Sequence, residues 1–288
     1  MTEDEYRAAI TGVRPDLADL PMVVHTAGWD SDAVEIGDLI FKFPKRPEAI
    51  PRLRQEAKIL ALIRPHVSLT VPDMRLHETP RLFSEHTKIP GEMIETPQYD
   101  VLTVPQRQAM AETLAAFYAA LHAIPGEEAR LVGVTPKPGW PTASEIMREA
   151  EPILPASLHQ WARTVLAAYE ALPSSAPIFG YFDGHGWNMA FDHGHGVLNG
   201  VYDFADAGIG PRTRDLNYSN FISADLTDRI IDAYERHTGL AIDRREVALH
   251  TAVQRLAELG EEQKAPAWFL ANVVDWHDHM QSRPDLRL

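Results

Sequence analysis

Asp183 and Asn188 stand five residues apart in the segment YFDGHGWN, and Asp203 follows fifteen residues later at the end of an apolar run, directly before Phe204. A loop reading Asp-x-x-x-x-Asn can aim a carboxylate at an incoming hydroxyl and turn its amide toward a metal ion. A hairpin after that loop can bring a second carboxylate to the same ion. Phosphoryl transfer calls for this set, because its transition state is stabilised by cations on the phosphates and by in-line placement of the nucleophile. Such a site also needs a lysine on a strand, held by a glutamate on the following helix. LIFKFPK supplies Lys42 between Phe41 and Phe43, and RLRQEAKIL supplies Glu56 fourteen residues on.

Other readings of the same residues stay open. Aspartate before glycine is common turn chemistry. His193 and His195 flank Gly194 between two apolar runs and read as a solvated turn, yet His-x-His beside Asp183, His185 and Asp203 could instead serve a metal-dependent hydrolase. That rival leaves Lys42 and Glu56 without a role. A Walker-type phosphate loop is absent: TAGWDSDAV holds one glycine and fits neither glycine-rich pattern, and a plain hairpin turn explains it as well as a phosphate contact does.

The elements that must carry these residues change character along the chain. Thr2 followed by Glu5 predicts a short capped helix before Pro15. Extended runs over 22–27 and 33–43, with turns at Gly28–Asp32 and Gly37–Asp38, predict a hairpin or three-stranded meander. Ile50, Leu53, Ala57, Leu60 and Arg64 share a helical face that ends before Pro65, and a strand pair is expected over 71–77 and 81–86. From about residue 103 helices dominate, with patterns near 103–125, 155–172, 225–238 and 243–263. The hairpin of residues 181–204 interrupts them. PGEEARLVGVTPKPGWPT, residues 125–142, reads as a long connection. A strand-rich part followed by a helical part excludes βαβ alternation and a Rossmann sheet.

Composition sets the outer limits. The 288 residues are 45% hydrophobic, enough for a core, and the absence of cysteine excludes disulfides, thiolate ligands and a cysteine nucleophile. The acidic start MTEDEYRAA and the lack of a long apolar run argue against a signal peptide or a membrane span, so a cytoplasmic location is expected. With 27 basic against 41 acidic residues and a formal charge of −14, the chain repels nucleic acid and anionic membranes and suits a cationic small molecule.

On DGHGWN (183–188), VYDFADAGIGPRTRDL (201–216), Lys42, Glu56, Leu121-His122 and FSEHTKIPGE (83–92), the chain resembles the aminoglycoside phosphotransferase family over nearly its whole length. The family's loop usually reads His-Gly-Asp; here Tyr181-Phe182-Asp183 stands in its place. The resemblance implies an α+β, protein-kinase-like fold, with a nucleotide-binding lobe over 1–86 and a mainly helical lobe over 87–288. It implies ATP or GTP as donor, Mg2+ as cofactor and a small-molecule hydroxyl as acceptor, an aminoglycoside first, with macrolides, choline, homoserine and sugars as other acceptors found in the family. By the same resemblance Asp183 orients or deprotonates the acceptor, Asn188 and Asp203 hold magnesium, and Lys42 with Glu56 secures the phosphates. Ser31 approaches the phosphates, Asp215 braces the loop, and the segment from Phe83 through Glu85 and His86 to position 89 is the hinge whose backbone meets the purine. Glu258, Glu261 and Glu262, at helical spacing, are expected either to face a polycationic acceptor or to form an ordinary solvated face near Arg255 and Lys264, and Trp268 and Trp276 could wall the same cleft or pack in a terminal helix.

Overall fold

In the computed structural model, which describes residues 1–79, 81–261 and 266–288, the chain opens with helix α1 (Glu3–Thr11), closed by the reciprocal Thr2/Glu5 capping box. Strands β1 (Met22–His25), β2 (Ser31–Ile36) and β3 (Leu39–Pro44) form the meander, with Gly37 at φ 57° in the tight turn that pairs Ile36 with Leu39. Helix α2 (Ala49–Ile63) follows, then β4 (Arg75–His77) and β5 (Phe83–Thr87). The five strands make one sheet in the order β1-β2-β3-β5-β4, with every pair antiparallel. The strand expected over 71–77 is confined to its last three residues. Pro72, which lacks an N–H for a ladder, keeps the preceding stretch irregular.

Strand alternation decides the direction of each side chain. Val34, Ile36, Phe41, Phe43 and Phe83 turn to one face and pack with Tyr6 and Ile10 of α1 in a small core. Lys42 lies between the two phenylalanines and therefore emerges on the opposite face, toward the remainder of the chain.

Past β5 come α3 (Thr96–Asp100), α4 (Val104–His122), α5 (Gly126–Leu131), α6 (Ala143–Ala150) and α7 (His159–Glu170). Two short ladders follow: β6 (Ile178–Gly180) with β9 (Gly208–Gly210), and β7 (Met189–Asp192) with β8 (Val197–Val201). Helices α8 (Arg212–Leu216), α9 (Ala224–Thr238), α10 (Arg244–Glu261) and α11 (Pro266–Ser282) complete the chain. Leu114, Phe117, Tyr118 and Leu121 of α4 do share a core face, packed with Ile230, Ile231 and Tyr234 of α9. The same core takes in Ile59, Leu60 and Ile63 of α2, so the helix carrying Glu56 is anchored in the helical part. Helices α6, α7, α10 and α11 enclose a second core. The stretch read as a plain connection contains α5, and its remainder runs beside β9, where Lys137 N donates to Ile209 O at 2.8 Å. No helix among the described residues is long and apolar enough to cross a membrane.

Candidate active site

Lys42 reaches from β3 to α2, and its Nζ lies 2.9 and 2.7 Å from the two carboxylate oxygens of Glu56. Glu56 is 1% exposed and also accepts the Phe204 backbone N–H at 3.2 Å. A charge at that depth is tolerable only because it is paired and hydrogen-bonded. Burial opposes the Lys42 ammonium, but Glu56 and Asp203 outweigh burial and raise its pKa. Asp203 Oδ1 lies 3.3 Å from Lys42 Nζ, so residues 161 positions apart meet at one ammonium.

Buried Asp215 of α8 shapes the loop before Asp183. It accepts the backbone N–H groups of Tyr181, at 2.9 Å, and of Phe182, and it contacts His122 Nε2 at 2.8 Å. His122 in turn meets the Tyr234 hydroxyl at 3.0 Å. Held in this way, Phe182 adopts φ 55°, a left-handed conformation that costs a bulky residue energy and that collects at functional sites. Among the described residues, Asp203 is the other non-glycine residue in that region, at φ 64°. Tyr181, where the family usually has histidine, is buried against Phe117 and Phe204, and its hydroxyl donates to the carbonyl of Tyr202. Tyrosine thus ties the loop to the residue before Asp203. Gly186 is required for space: a Cβ there would lie 1.6 Å from the Ile94 carbonyl oxygen.

The β7–β8 register pairs Met189 with Val201, and Tyr202 N donates to Asn188 O at 3.0 Å. Asn188 and Asp203 therefore leave the same end of one hairpin. Asn188 Nδ2 donates to Asp183 Oδ2 at 2.6 Å and to Asp183 O at 3.1 Å, which fixes which amide atom faces the aspartate. His193 and His195 occupy the turn at the other end, roughly 13 Å away at about 3.3 Å per strand residue. His195 Nδ1 meets Asp192 Oδ2 at 2.8 Å, and His193 Nε2 meets Met93 O at 3.0 Å. Among the described residues no group of three histidine, cysteine, aspartate or glutamate side chains is placed to hold a metal ion. His193 and His195 are thus not brought to Asp183 and Asp203, as the hydrolase alternative would require. His185 is nearer the chemistry, with Nε2 3.0 Å from Asp183 Oδ1. Burial opposes its imidazolium, but the hydrogen bond to Asp183 and the charges of Asp183, Asp203 and Glu258 prevail, and its pKa is raised.

Two cavities meet here. One of about 620 Å3 lies between sheet and helices and is lined by Ser31, Lys42, Glu56, His86, Asn188 and Asp203, among others. The other, of about 670 Å3, is bordered by the 137–140 stretch, α10 and α11. Asp183, His185, Trp187, Asp206 and Trp29 line both.

Of the segment expected to form the hinge, His86, Lys88 and Ile89 line the first cavity. Phe83 stacks on Phe43 and His77, and Glu85 pairs with His77 and Arg14 on the face away from it. The backbone of Ser84–Glu85 also lies between β3 and β4, and Phe83 pairs with β4, so ladder pairing takes these residues up; from His86 onward β5 has no partner on the β4 side. The later part of that segment, with Gly91 just beyond it, is thus the part that borders the cavity. Burial and Lys42 push the His86 pKa down to about 4, and its buried Nδ1 has no partner. Glu258 lines the second cavity and accepts from Gln254 Nε2 at 2.8 Å. The side chain of Glu261 and all of Glu262 lie outside the described residues. Trp268 lines the second cavity, whereas Trp276 is buried in the α10–α11 core with Nε1 donating to Ala248 O at 3.2 Å.

Several lining residues were not singled out from the sequence. Lys137 holds Asp206 at 3.1 Å, and Arg52 of α2 reaches the same carboxylate at 3.2 Å. Trp140 and Phe269 border the second cavity. The one local signal was an aromatic and a base inside the proline-rich TPKPGWPT.

An antiparallel sheet carrying a paired lysine, set against a helical part whose loop presents Asp183, Asn188 and Asp203, defines a kinase-like phosphotransferase of small molecules. The family model described as APH, phosphotransferase enzyme family, matches residues 22–250, and the chain belongs to that family. Solved structures agree in fold. The GDP complex of wild-type aminoglycoside 2'-phosphotransferase-IIIa is 20% identical with a TM-score of 0.81, over 97% of this chain and 99% of that one. The macrolide 2'-phosphotransferase MphH from Brachybacterium faecium is 18% identical with a TM-score of 0.67, over 94% and 98%. The streptomycin–ATP complex of APH(2")-IIa is 17% identical with a TM-score of 0.65, over 96% of each chain. No curated protein matches the sequence.

Proposed function

We propose that the protein transfers the γ-phosphate of ATP or GTP to a hydroxyl of a small molecule, with the nucleotide in the first cavity and the acceptor in the second. The observation that carries this reading is that the two cavities share Asp183. An in-line displacement needs donor and acceptor on either side of one point, with the base at that point. Asp183 Oδ1 and Oδ2 are oriented by His185 and Asn188, so the carboxylate is preset to receive the acceptor's hydroxyl proton. Lys42, fixed by Glu56, supplies positive charge to the phosphates, and the 28–31 turn with Ser31 borders the same space. The unpartnered Nδ1 of His86 and the open edge of β5 suit the polar rim of a purine.

The donor set also suits magnesium. Asn188 and Asp203 offer oxygen ligands from one hairpin end, and a magnesium site of this kind takes one or two protein ligands, with phosphate oxygens and water completing it. When bound, the ion would neutralise charge building on the phosphates. Lys42 Nζ, held by Glu56 and 3.3 Å from Asp203 Oδ1, would be positioned to meet a phosphate oxygen. Similar solved structures include a GDP complex of an aminoglycoside phosphotransferase, a streptomycin–ATP complex and a macrolide phosphotransferase; this chain is proposed to use the same kind of donor and an acceptor in that size range. Replacing Asp203→Ala should lower acceptor-dependent nucleotide consumption by roughly 10^3-fold or more while the circular-dichroism spectrum is kept. Turnover within tenfold of the parent, or turnover indifferent to a divalent-cation chelator, would refute the assignment.

A further inference from the structure

Glu258 is a single described carboxylate where three were expected, and the rest of the second cavity is built from different material. Trp29, Trp140, Trp187, Phe221, Trp268 and Phe269 all line it. They come from the β1–β2 turn, the 132–142 stretch, the catalytic loop, the segment before α9, and α11, so no single amphipathic element accounts for them. Three are conspicuously open: Trp29 is 72% exposed, and Trp187 and Trp268 are each 43% exposed. Large apolar side chains converging at one mouth from separate segments mark a binding surface. The rings of Trp187 and Trp268 lie 6.0 Å apart at an interplanar angle of 35°, and Phe269 meets Trp268 edge-on at 4.8 Å.

The charges of the cavity are largely consumed within it. Among the described residues its carboxylates are Asp183, Asp206 and Glu258, set against Lys137 and Arg214. Asp206 is bonded to Lys137 and Arg52, and Asp183 is engaged by Asn188 and His185. Arg214 sits 4.1 Å over the Trp140 ring, and Lys137 lies 6.0 Å from the Phe182 ring, so the protein's own cations occupy those two faces. A ligand with several ammonium groups would meet two fixed cations, and Asp183 and Asp206 already hold partners of their own. One with apolar or ring faces would meet tryptophan.

We infer that the acceptor is an alcohol carried on an apolar or ring-faced body with at most one positive charge, packed against Trp187 and Trp268 with its hydroxyl at Asp183. This rests on the kinase reading above and narrows it to a substrate class. Glu258 is placed to meet the single cation where the acceptor has one, and the aromatic faces exclude water from the remainder.

The test measures nucleotide consumption with three probes: erythromycin, a macrocycle with one amine; salicin, a neutral aryl glucoside; and the polycation kanamycin. Erythromycin or salicin should be turned over in preference to kanamycin, with an acceptor KM that changes less than about threefold between 50 and 500 mM salt. For the preferred acceptor, Trp268→Ala should raise KM about tenfold or more and leave the nucleotide KM within about twofold, and Trp268→Phe should recover most of the loss. Preference for kanamycin, a KM that climbs steeply with salt, or an acceptor KM unmoved by Trp268→Ala and raised by the triple change Glu258→Gln, Glu261→Gln and Glu262→Gln would each overturn the inference. So would turnover of none of the three by a protein that still hydrolyses nucleotide. Failure to bind or hydrolyse nucleotide at all would instead remove the kinase reading beneath it.

Discussion

On one side of Asp183 the cavity wall is a chain of charges, Lys42, Glu56 and Asp203, in which every member is bonded to another at 3.3 Å or less. On the other side the wall is mostly rings, and the charges present are paired with each other or with residues just outside. The two histidines nearest the chemistry show the same contrast. His86, on the donor side, is buried beside the Lys42 ammonium and stays neutral well below the usual histidine range. His185, beside Asp183, lies among carboxylates and holds its proton more firmly. On the proposed reading, a donor that carries phosphates in every turnover is matched by Lys42 and by a hairpin end with oxygen donors suited to a metal ion. The inferred acceptor, recognised by shape and apolar faces, would be matched by rings, which are not tied to one charge pattern.

The comparison can be broken most sharply at the residue common to both sides. Asp183→Asn keeps the shape of the loop and removes the base, so kcat should fall by roughly 10^2- to 10^4-fold with both KM values within a few-fold of the parent. Steady-state kinetics on the folded variant would check this, and a change confined to one KM would assign Asp183 to one cavity alone.

A smaller effect isolates the donor side. Because the His86 pKa is depressed to about 4, the unfolded chain takes up a proton below pH 6.5 that the folded chain refuses until about pH 4, and stability falls with acid across that window. Between pH 7 and pH 5 the loss from this one group is about 2 kcal/mol. Urea unfolding of His86→Gln at the two pH values should show a pH-dependent loss smaller by that amount, and an unchanged difference would mean that His86 is not held neutral. The smallest effect is expected at the far end of the hairpin: replacing His193 and His195 together by asparagine should leave turnover and its divalent-cation dependence within about twofold, since asparagine also tolerates turns. Joint loss of activity and of a bound transition metal would revive the hydrolase alternative.

The donor side was legible because its parts are polar, rare and ordered along the chain. Lys42 is fixed in direction by strand alternation between Phe41 and Phe43, Glu56 by the helix that follows, and Asn188 and Asp203 by a hairpin whose two ends are near in sequence. Which part of the expected hinge segment borders the cavity was not legible, because residue types alone do not reveal that β5 is an inner strand with both backbone edges in use at Ser84–Glu85. The acceptor side stayed mostly hidden. Trp29, Trp140 and Trp268 lie more than a hundred residues from one another, and a tryptophan in a helix or turn has the same local signature whether it faces a core or a cleft.

What the sequence by itself determined was the family-like set of charged residues and the elements that hold them, since periodicity, capping and turn chemistry act over a few neighbours. Only the tertiary structure decided that Asp203 would reach Lys42 across 161 positions, that Tyr181 would link the loop to Tyr202, and that Trp268 would line a cleft while Trp276 filled a core. Those outcomes depend on which surfaces the packed helices leave uncovered, and packing is a property of the whole chain.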